Sequence, residues 1–261
     1  MDEILYSVKA GVGVLTINRP KARNAFNWRA QEAFSAVVET AAADSSLRVL
    51  IVTAAGDKAF ASGGDLKELS NHPSETSGTR LNRIMGTALT RLTQLPVPVI
   101  AAVNGDAVGG GCEIMTACDL RMALADVRFR FAQVRVGLTT GWGGAARFVR
   151  LVGQSRAMEL LLTGRTFSAE EAVEMGFVHR LVPPGENVLA AAQDWAASLI
   201  DLPKEALAAA KQLVLAAGRL SPADTNVLEG QLFSQLWTQP DHIEAMAAFV
   251  EKRAAIFNQD S

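Results

Sequence analysis

The sequence predicts an α/β core followed by a helical tail. Short β-branched apolar runs alternate with segments of helical periodicity through the first half. Strand-like runs stop after about residue 185, and the last quarter carries repeated helix-start signals. In chain order, residues 13–17 (GVLTI) read as a strand ending at Arg19-Pro20. Asn27 suits the N-cap of a helix over 28–43, with Ala33, Val37 and Val38 on its apolar face. Residues 49–53 (VLIVT) read as a buried strand, and 71–79 (NHPSETSGT) as a polar, mobile loop. A helix over about 80–95, a Pro96-Val97-Pro98 break and a buried strand at 99–103 follow. Later, Ser168/Glu171, Ser221/Asp224 and Asp241/Glu244 have capping-box spacing, and Pro222 suits a first helical position. No fixed-period repeat or low-complexity segment interrupts the pattern.

At about 150 residues per domain, 261 residues make one large domain or two small ones. Hydrophobic residues form 49% and charged residues 20%, enough for a substantial core. Lys plus Arg number 25 against 27 Asp plus Glu, which argues against a protein built to hold nucleic acid. Aromatic residues at 6% give little for base stacking. Two cysteines, Cys112 and Cys118, do not make a disulfide scaffold and fit core packing. Of the three histidines, His72 reads as solvated, His179 as structural and His242 as first-turn helical, so no metal site is expected. Asp119 reads as structural. The N-terminal MDEILYSVKA lacks an apolar leader, and no run of about 18 apolar residues occurs. A reducing cytoplasmic setting without membrane contact is expected.

Two glycine-rich turns carry the chemical signal: Phe60-Ala61-Ser62-Gly63-Gly64-Asp65-Leu66, and residues 104–113 (NGDAVGGGCE). Each follows a strand and leads into a helix, where backbone N–H groups lack intrahelical partners. Taken singly, either is a tight turn. Together they suggest two amides converging on one oxygen, an oxyanion hole. P-loop, dinucleotide-fingerprint and GxSxG patterns are all absent. The chemistry then needs an acid or base, and Glu113 stands immediately after the second turn. Charge compensation at a helix start is the plainer role for that residue.

These residues sit in a longer series of ordered motifs. The series includes Arg19-Pro20 with Asn24-Ala25, FASGGDLKEL at 60–69 and IAAVNGDAVGGGCEIMTACDLR at 100–121. It continues through VGL and GWGGAAR within 136–147, LVG at 151–153, LLTGR at 161–165, SAEEAVEMGFV at 168–178 and FVEKR at 249–253. In this the chain resembles the crotonase superfamily, the enoyl-CoA hydratase/isomerase family, over nearly its whole length. The resemblance implies a spiral of ββα units over residues 1–200 and a C-terminal helical region, 201–261, that builds trimers or hexamers. It implies an acyl-CoA thioester as substrate, with coenzyme A as part of that substrate and no further cofactor. Gly64 and Gly110 would donate to the thioester oxygen. Ser62, Asp65, Leu66, Lys67, Gly109 and Trp142 would line the substrate path, and Lys252 would reach the CoA phosphate of a neighbouring subunit.

Hydratases of the family use two glutamates. Glu113 matches the first. Within FRFAQVRVGL at 129–138, Gln133 stands at the second and Ala132 at a customary proline. Glutamine orients a water or a carboxylate but cannot donate and recover a proton at neutral pH. Hydration of a 2-enoyl-CoA with Glu113 as acid/base is the leading reading, as the commoner activity. The alternative is a decarboxylase of a methylmalonyl- or ethylmalonyl-type CoA, suggested by a single glutamate with GWGG at 141–144 and TACDLRM at 116–122. Loss of CO2 generates the enolate without a base. A third reading is a non-catalytic acyl-CoA- or RNA-binding member. Asp106 either shapes the acyl pocket or is solvated.

Overall fold

A computed structural model describes residues 2–258. Strand β1 (Ile4–Lys9) pairs antiparallel with β2 (Val12–Ile17) across a turn at Ala10 and Gly11. Patterning finds β2 but passes over β1, an edge strand with only Ile4 fully buried. Asn27 caps α1 (Trp28–Ala43), its side chain accepting from Ala30 N at 2.8 Å.

From there one unit recurs: a strand, a short second strand, then helix. The first unit is β3 (Val49–Ala54), β4 (Ala59–Ala61), α2 (Leu66–Leu69) and α3 (Glu75–Thr93). Next come β5 (Val99–Val103), β6 (Asp106–Val108) and α4 (Gly110–Thr116). The third is β7 (Leu120–Leu124), β8 (Arg128–Arg130), a 3-10 turn (Gln133–Val136) and α5 (Gly144–Val152). Then follow α6 (Gln154–Thr163), β9 (Thr166–Ser168), α7 (Ala169–Glu174) and β10 (Arg180–Val182). First strands build a six-stranded sheet, order β1-β2-β3-β5-β7-β10, and second strands a four-stranded sheet, order β4-β6-β8-β9. Pairing is parallel except between β1 and β2 and between β8 and β9.

β3 and β5 read as unbroken apolar runs because both faces of the large sheet are covered. Leu50 and Val52 face the main core. Val49, Ile51, Ile100 and Ala102 face α8 (Val188–Ile200) through Val188, Ala192 and Ala196. The small sheet matters for the site. Ala61 of β4 registers with Ala107 of β6, so the turns that follow these two strands lie side by side.

Several expectations need correction. The polar segment 71–79 is loop only to residue 74: Ser74 accepts from Ser77 N at 3.2 Å and α3 begins at Glu75. Its first turns are exposed and polar, which hides the helical period. Helix α4 begins at Gly110, so two glycines are helical. Ser168 and Glu171 form the full capping box, and Ser221 accepts from Asp224 N at 3.1 Å. Asp241 and Glu244 form none. Gln239 occupies the N-cap of α11 (Pro240–Glu251), Asp241 Oδ1 accepts from Asn258 N, and Glu244 pairs with Arg253.

The tail consists of α9 (Lys204–Ala217), α10 (Pro222–Trp237) and α11. Lys211 of α9 meets Asp119 at 2.6 Å, and Lys204 Nζ donates to Ser45 O at 2.9 Å, tying α9 to the core. Neither α9 nor α10 has a buried residue, and α11 has only Ala248. Phe233, Trp237, Phe249 and Val250 are exposed. No described helix is long and apolar enough to cross a membrane.

Candidate active site

The two glycine turns meet. Phe26 bridges Gly64 in parallel: Phe26 N donates to Gly63 O at 2.8 Å and Asp65 N to Phe26 O at 2.9 Å. Those bonds come from the residues flanking Gly64, so its own N–H faces away from Phe26. Gly63 sits at φ 85°, a left-handed conformation that glycine adopts without strain. In the second turn Gly109 sits at φ 56° and its N–H donates to Arg130 O at 2.7 Å. Gly110 is then the first residue of α4, where the N–H has no intrahelical acceptor. A Cβ on Gly63 would lie 2.9 Å from Gly110 N, which measures how closely the turns approach.

Glu113 lies in the first turn of α4, 2% exposed. Its carboxylate accepts four hydrogen bonds. Gln133 Nε2 and Gly141 N donate to Oε1 at 3.0 and 3.2 Å; Trp142 N and Gly144 N donate to Oε2 at 2.8 and 2.9 Å. An ionised carboxylate has about four acceptor positions, so this carboxylate is fully hydrogen-bonded by N–H groups. A Cβ on Gly144 would come within 2.5 Å of Glu113 Cγ, so the helix start must be glycine for the cradle to close. Behind the carboxylate, Thr116 Oγ1 donates to Glu113 O at 2.6 Å. Arg147 Nε donates to Thr116 Oγ1 at 3.0 Å and Nη2 to Trp142 O at 2.7 Å. Burial pulls the Arg147 guanidinium pKa below its ordinary value, and the Glu113 charge opposes that shift.

Gln133 keeps one acceptor in reserve: its Oε1 is buried and has no hydrogen-bond partner in the protein. Trp142 is buried, its indole against Gly110 and edge-on to Phe26 with ring centroids 5.5 Å apart.

The remaining candidates are placed as follows. Ser62 is half-buried, with its N–H donating to Arg23 O at 3.2 Å. Asp65 Oδ2 is paired with Arg19 Nη1 at 3.0 Å, so this carboxylate anchors the turn. Leu66 and Lys67 are exposed on α2. Lys252 is not inside the last helix; it is the exposed residue that ends it, at φ 56°. Asp106 Oδ1 accepts from Arg128 N at 2.8 Å and ties β6 to β8. His179 Nδ1 accepts from Arg121 N at 3.2 Å, a structural role. Cys112 and Cys118 are buried free thiols, and burial pushes the Cys118 pKa up to about 12. Among the described residues, no three His, Cys, Asp or Glu side chains gather as a metal site would need.

Sequence reasoning missed the partners that hold Glu113. The GWGG segment is visible in the sequence, but nothing local links its amides to a residue 28 positions or more upstream. Phe26 and Arg147 were missed for the same reason.

A spiral of ββα units with two adjoining glycine turns beside a buried carboxylate defines the class of protein. The chain belongs to the enoyl-CoA hydratase/isomerase family, whose model matches residues 7–260. It is 34% identical to the short-chain-enoyl-CoA hydratase of Clostridium acetobutylicum over 253 residues, covering 97% of this chain and 96% of that protein. It is also 34% identical to the crotonyl-CoA hydratase of Syntrophomonas wolfei over 257 residues, 98% of each chain. The crystal structure of an enoyl-CoA hydratase from Bacillus anthracis superposes with a TM-score of 0.92 at 31% identity, covering 98% of both chains. The architecture is thus the crotonase fold.

Proposed function

We propose that this chain adds water to a 2-enoyl-CoA, with Glu113 as the single acid/base. The observation that carries this reading is the Glu113 carboxylate, fully hydrogen-bonded by N–H donors, beside the paired amides of Gly64 and Gly110. The full-length relatives named short-chain-enoyl-CoA and crotonyl-CoA hydratases support it.

In the proposed reaction the thioester oxygen accepts from Gly64 N and Gly110 N. Both bonds strengthen as negative charge moves onto that oxygen. A water's oxygen bonds to C3 while the C2–C3 π electrons shift into the thioester enolate. Glu113 takes the water's proton and returns it to C2, so one water is added and the carboxylate is regenerated. Gln133 Nε2 holds Glu113, and Gln133 Oε1 supplies the acceptor that orients the water.

Decarboxylation of a malonyl-type CoA is favoured by one observation, the absence of a second acid at residue 133. It too would draw its proton from Glu113, so the cradle serves either reaction. Hydration is the stronger reading because the full-length relatives are named as hydratases.

The substrate path would run along Ser62, Asp65, Leu66, Lys67 and Gly109, with Trp142, expected to line it, buried behind Gly110 and backing the path, and with no cofactor beyond the coenzyme A of the substrate. Residues 1–200 would form the core. Residues 201–261 would form the region whose exposed apolar side chains associate as a trimer or hexamer, bringing Lys252 to a neighbour's CoA phosphate. The setting would be the cytoplasm. Mass spectrometry of the protein with short and branched 2-enoyl-CoAs and with methylmalonyl- and ethylmalonyl-CoA tests the proposal. Gain of one water on an enoyl-CoA is expected; loss of CO2 from a malonyl thioester, with no hydration, would replace it with the decarboxylase.

A further inference from the structure

Trp142 meets both Glu113 and Gly110. Its N–H donates to Glu113 Oε2 at 2.8 Å. Its indole lies so close to Gly110 that a Cβ there would collide with three atoms of the six-membered ring. The ring meets Phe26 edge-on, at 5.5 Å and 70°. Phe26 in turn is joined through two backbone hydrogen bonds to the residues either side of Gly64. Beyond it, Phe34 meets Phe26 edge-on at 5.7 Å, anchoring the stack on α1.

The two turns therefore share a rigid spacer. One glycine is fixed to Phe26 through the main chain, the other is packed on Trp142, and the two rings lock together. Edge-to-face pairs have defined geometry, and buried rings at close packing have little room to slide. The same residue that sets one amide also presents an N–H to the carboxylate. Arg147 holds it from behind through Trp142 O.

From this geometry, and resting on the proposed oxyanion role of Gly64 and Gly110, we infer that the Phe26–Trp142 ring pair is a positioning device. It fixes the separation of the two amides and their placement relative to Glu113. A misplacement of about 1 Å at a catalytic group lowers rate by roughly 100-fold. Loss of the indole should thus weaken polarisation of the carbonyl while leaving binding, which is spread along the CoA, nearly intact.

The test uses Trp142→Ala, Trp142→Phe and Phe26→Leu in the full chain. The principal readout is the infrared carbonyl stretch of a 13C-labelled thioester in bound butyryl-CoA, a saturated ligand that cannot be hydrated. The wild type should shift this band to lower frequency than in free butyryl-CoA. Trp142→Ala should lose most of that shift with binding affinity kept, Phe26→Leu should lose part of it, and Trp142→Phe should restore it. With crotonyl-CoA, kcat of Trp142→Ala should fall about 100-fold at nearly constant KM. A full band shift in Trp142→Ala that binds butyryl-CoA overturns the inference. So does failure of Phe to restore the shift when Phe26→Leu leaves it unchanged. Should Trp142→Ala fail to fold, Phe26→Leu and Trp142→Phe decide by the same band. No turnover of crotonyl-CoA by the wild type, with the band shift present and dependent on Trp142, would count against hydration and leave the positioning role standing.

Discussion

Gln133 Nε2 donates to Glu113 Oε1 at 3.0 Å, while the other end of the same amide, Gln133 Oε1, is buried without a partner. One side chain thus holds the carboxylate and presents a vacant acceptor beside it. A glutamate at 133 would exchange that donor for a second proton carrier, and a hydrocarbon would leave both jobs undone. Glutamine is compatible with single-carboxylate chemistry because it fixes orientation without competing for the proton.

Glu113→Gln should lower turnover of crotonyl-CoA by about 10²–10⁴-fold, the usual worth of general acid–base help. Butyryl-CoA should still bind, since the amides of Gly64 and Gly110 are untouched. Steady-state kinetics beside calorimetric titration checks both halves, and an unchanged kcat would remove Glu113 from its role.

Replacing Gln133 separates its two functions. Gln133→Leu deletes a hydrogen bond to a charged group and should reduce kcat roughly 10–100-fold. Gln133→Glu should raise hydration of crotonyl-CoA by adding a second proton carrier. Stopped-flow rates of water addition read both variants, and a gain in the leucine variant would contradict the assignment.

Gly110→Ala puts a methyl group into the Trp142 indole. Overpacking of this kind costs about 1–3 kcal/mol. Urea unfolding should report that loss together with greatly reduced turnover. A variant as stable and active as the wild type would show that the indole has room to move.

Lys211 and Asp119 join α9 to the start of β7 at 2.6 Å, with side chains 9% and 23% exposed. Lys211→Met should lower stability by about 3 kcal/mol, because removing one partner strands a largely buried charge. Burial raises the Asp119 pKa above its ordinary 3.8, despite the opposing pull of Lys211. Its folded value being the higher, this group's contribution is complete below about 3.8 and is lost as pH rises through the folded-state value. The deficit of Lys211→Met should therefore shrink on acidification, as thermal melts across pH would show.

Phe249, 87% exposed, and Val250, 79% exposed, sit near the end of α11. If that face joins subunits, Phe249→Asp should shift the mass found by light scattering from a trimer or hexamer to a monomer. A variant that keeps the wild-type mass would place the contact elsewhere on the tail.

Legibility followed chemical locality. The strand at 99–103 and the helix at 28–43 announced themselves because apolar periodicity and the Asn27 cap agree over short range. The small sheet stayed invisible: its strands are three residues long, too short for alternation to register. Of the site, the glycine turns and Glu113 could be read from residue types in sequence. Gln133 could be placed by its family motif, but its bond to Glu113 could not. The amide cradle from residues 141–144 and the packing of Trp142 on Gly110 arise only when α5 folds back on α4. Expectation failed at Asp241/Glu244, where the right spacing starts at the second residue of a helix already begun at Pro240.

In the proposed mechanism Gly64 and Gly110 contribute peptide N–H groups, not side chains, and this shapes how the protein would tolerate mutation. Every amino acid except proline supplies the same donor, so no other substitution deletes one of these groups outright. Side chains around them can vary and only distort the hole. Acquiring a new reaction on this scaffold would then proceed by exchanging residues such as Gln133, with charge stabilisation inherited unchanged from the main chain.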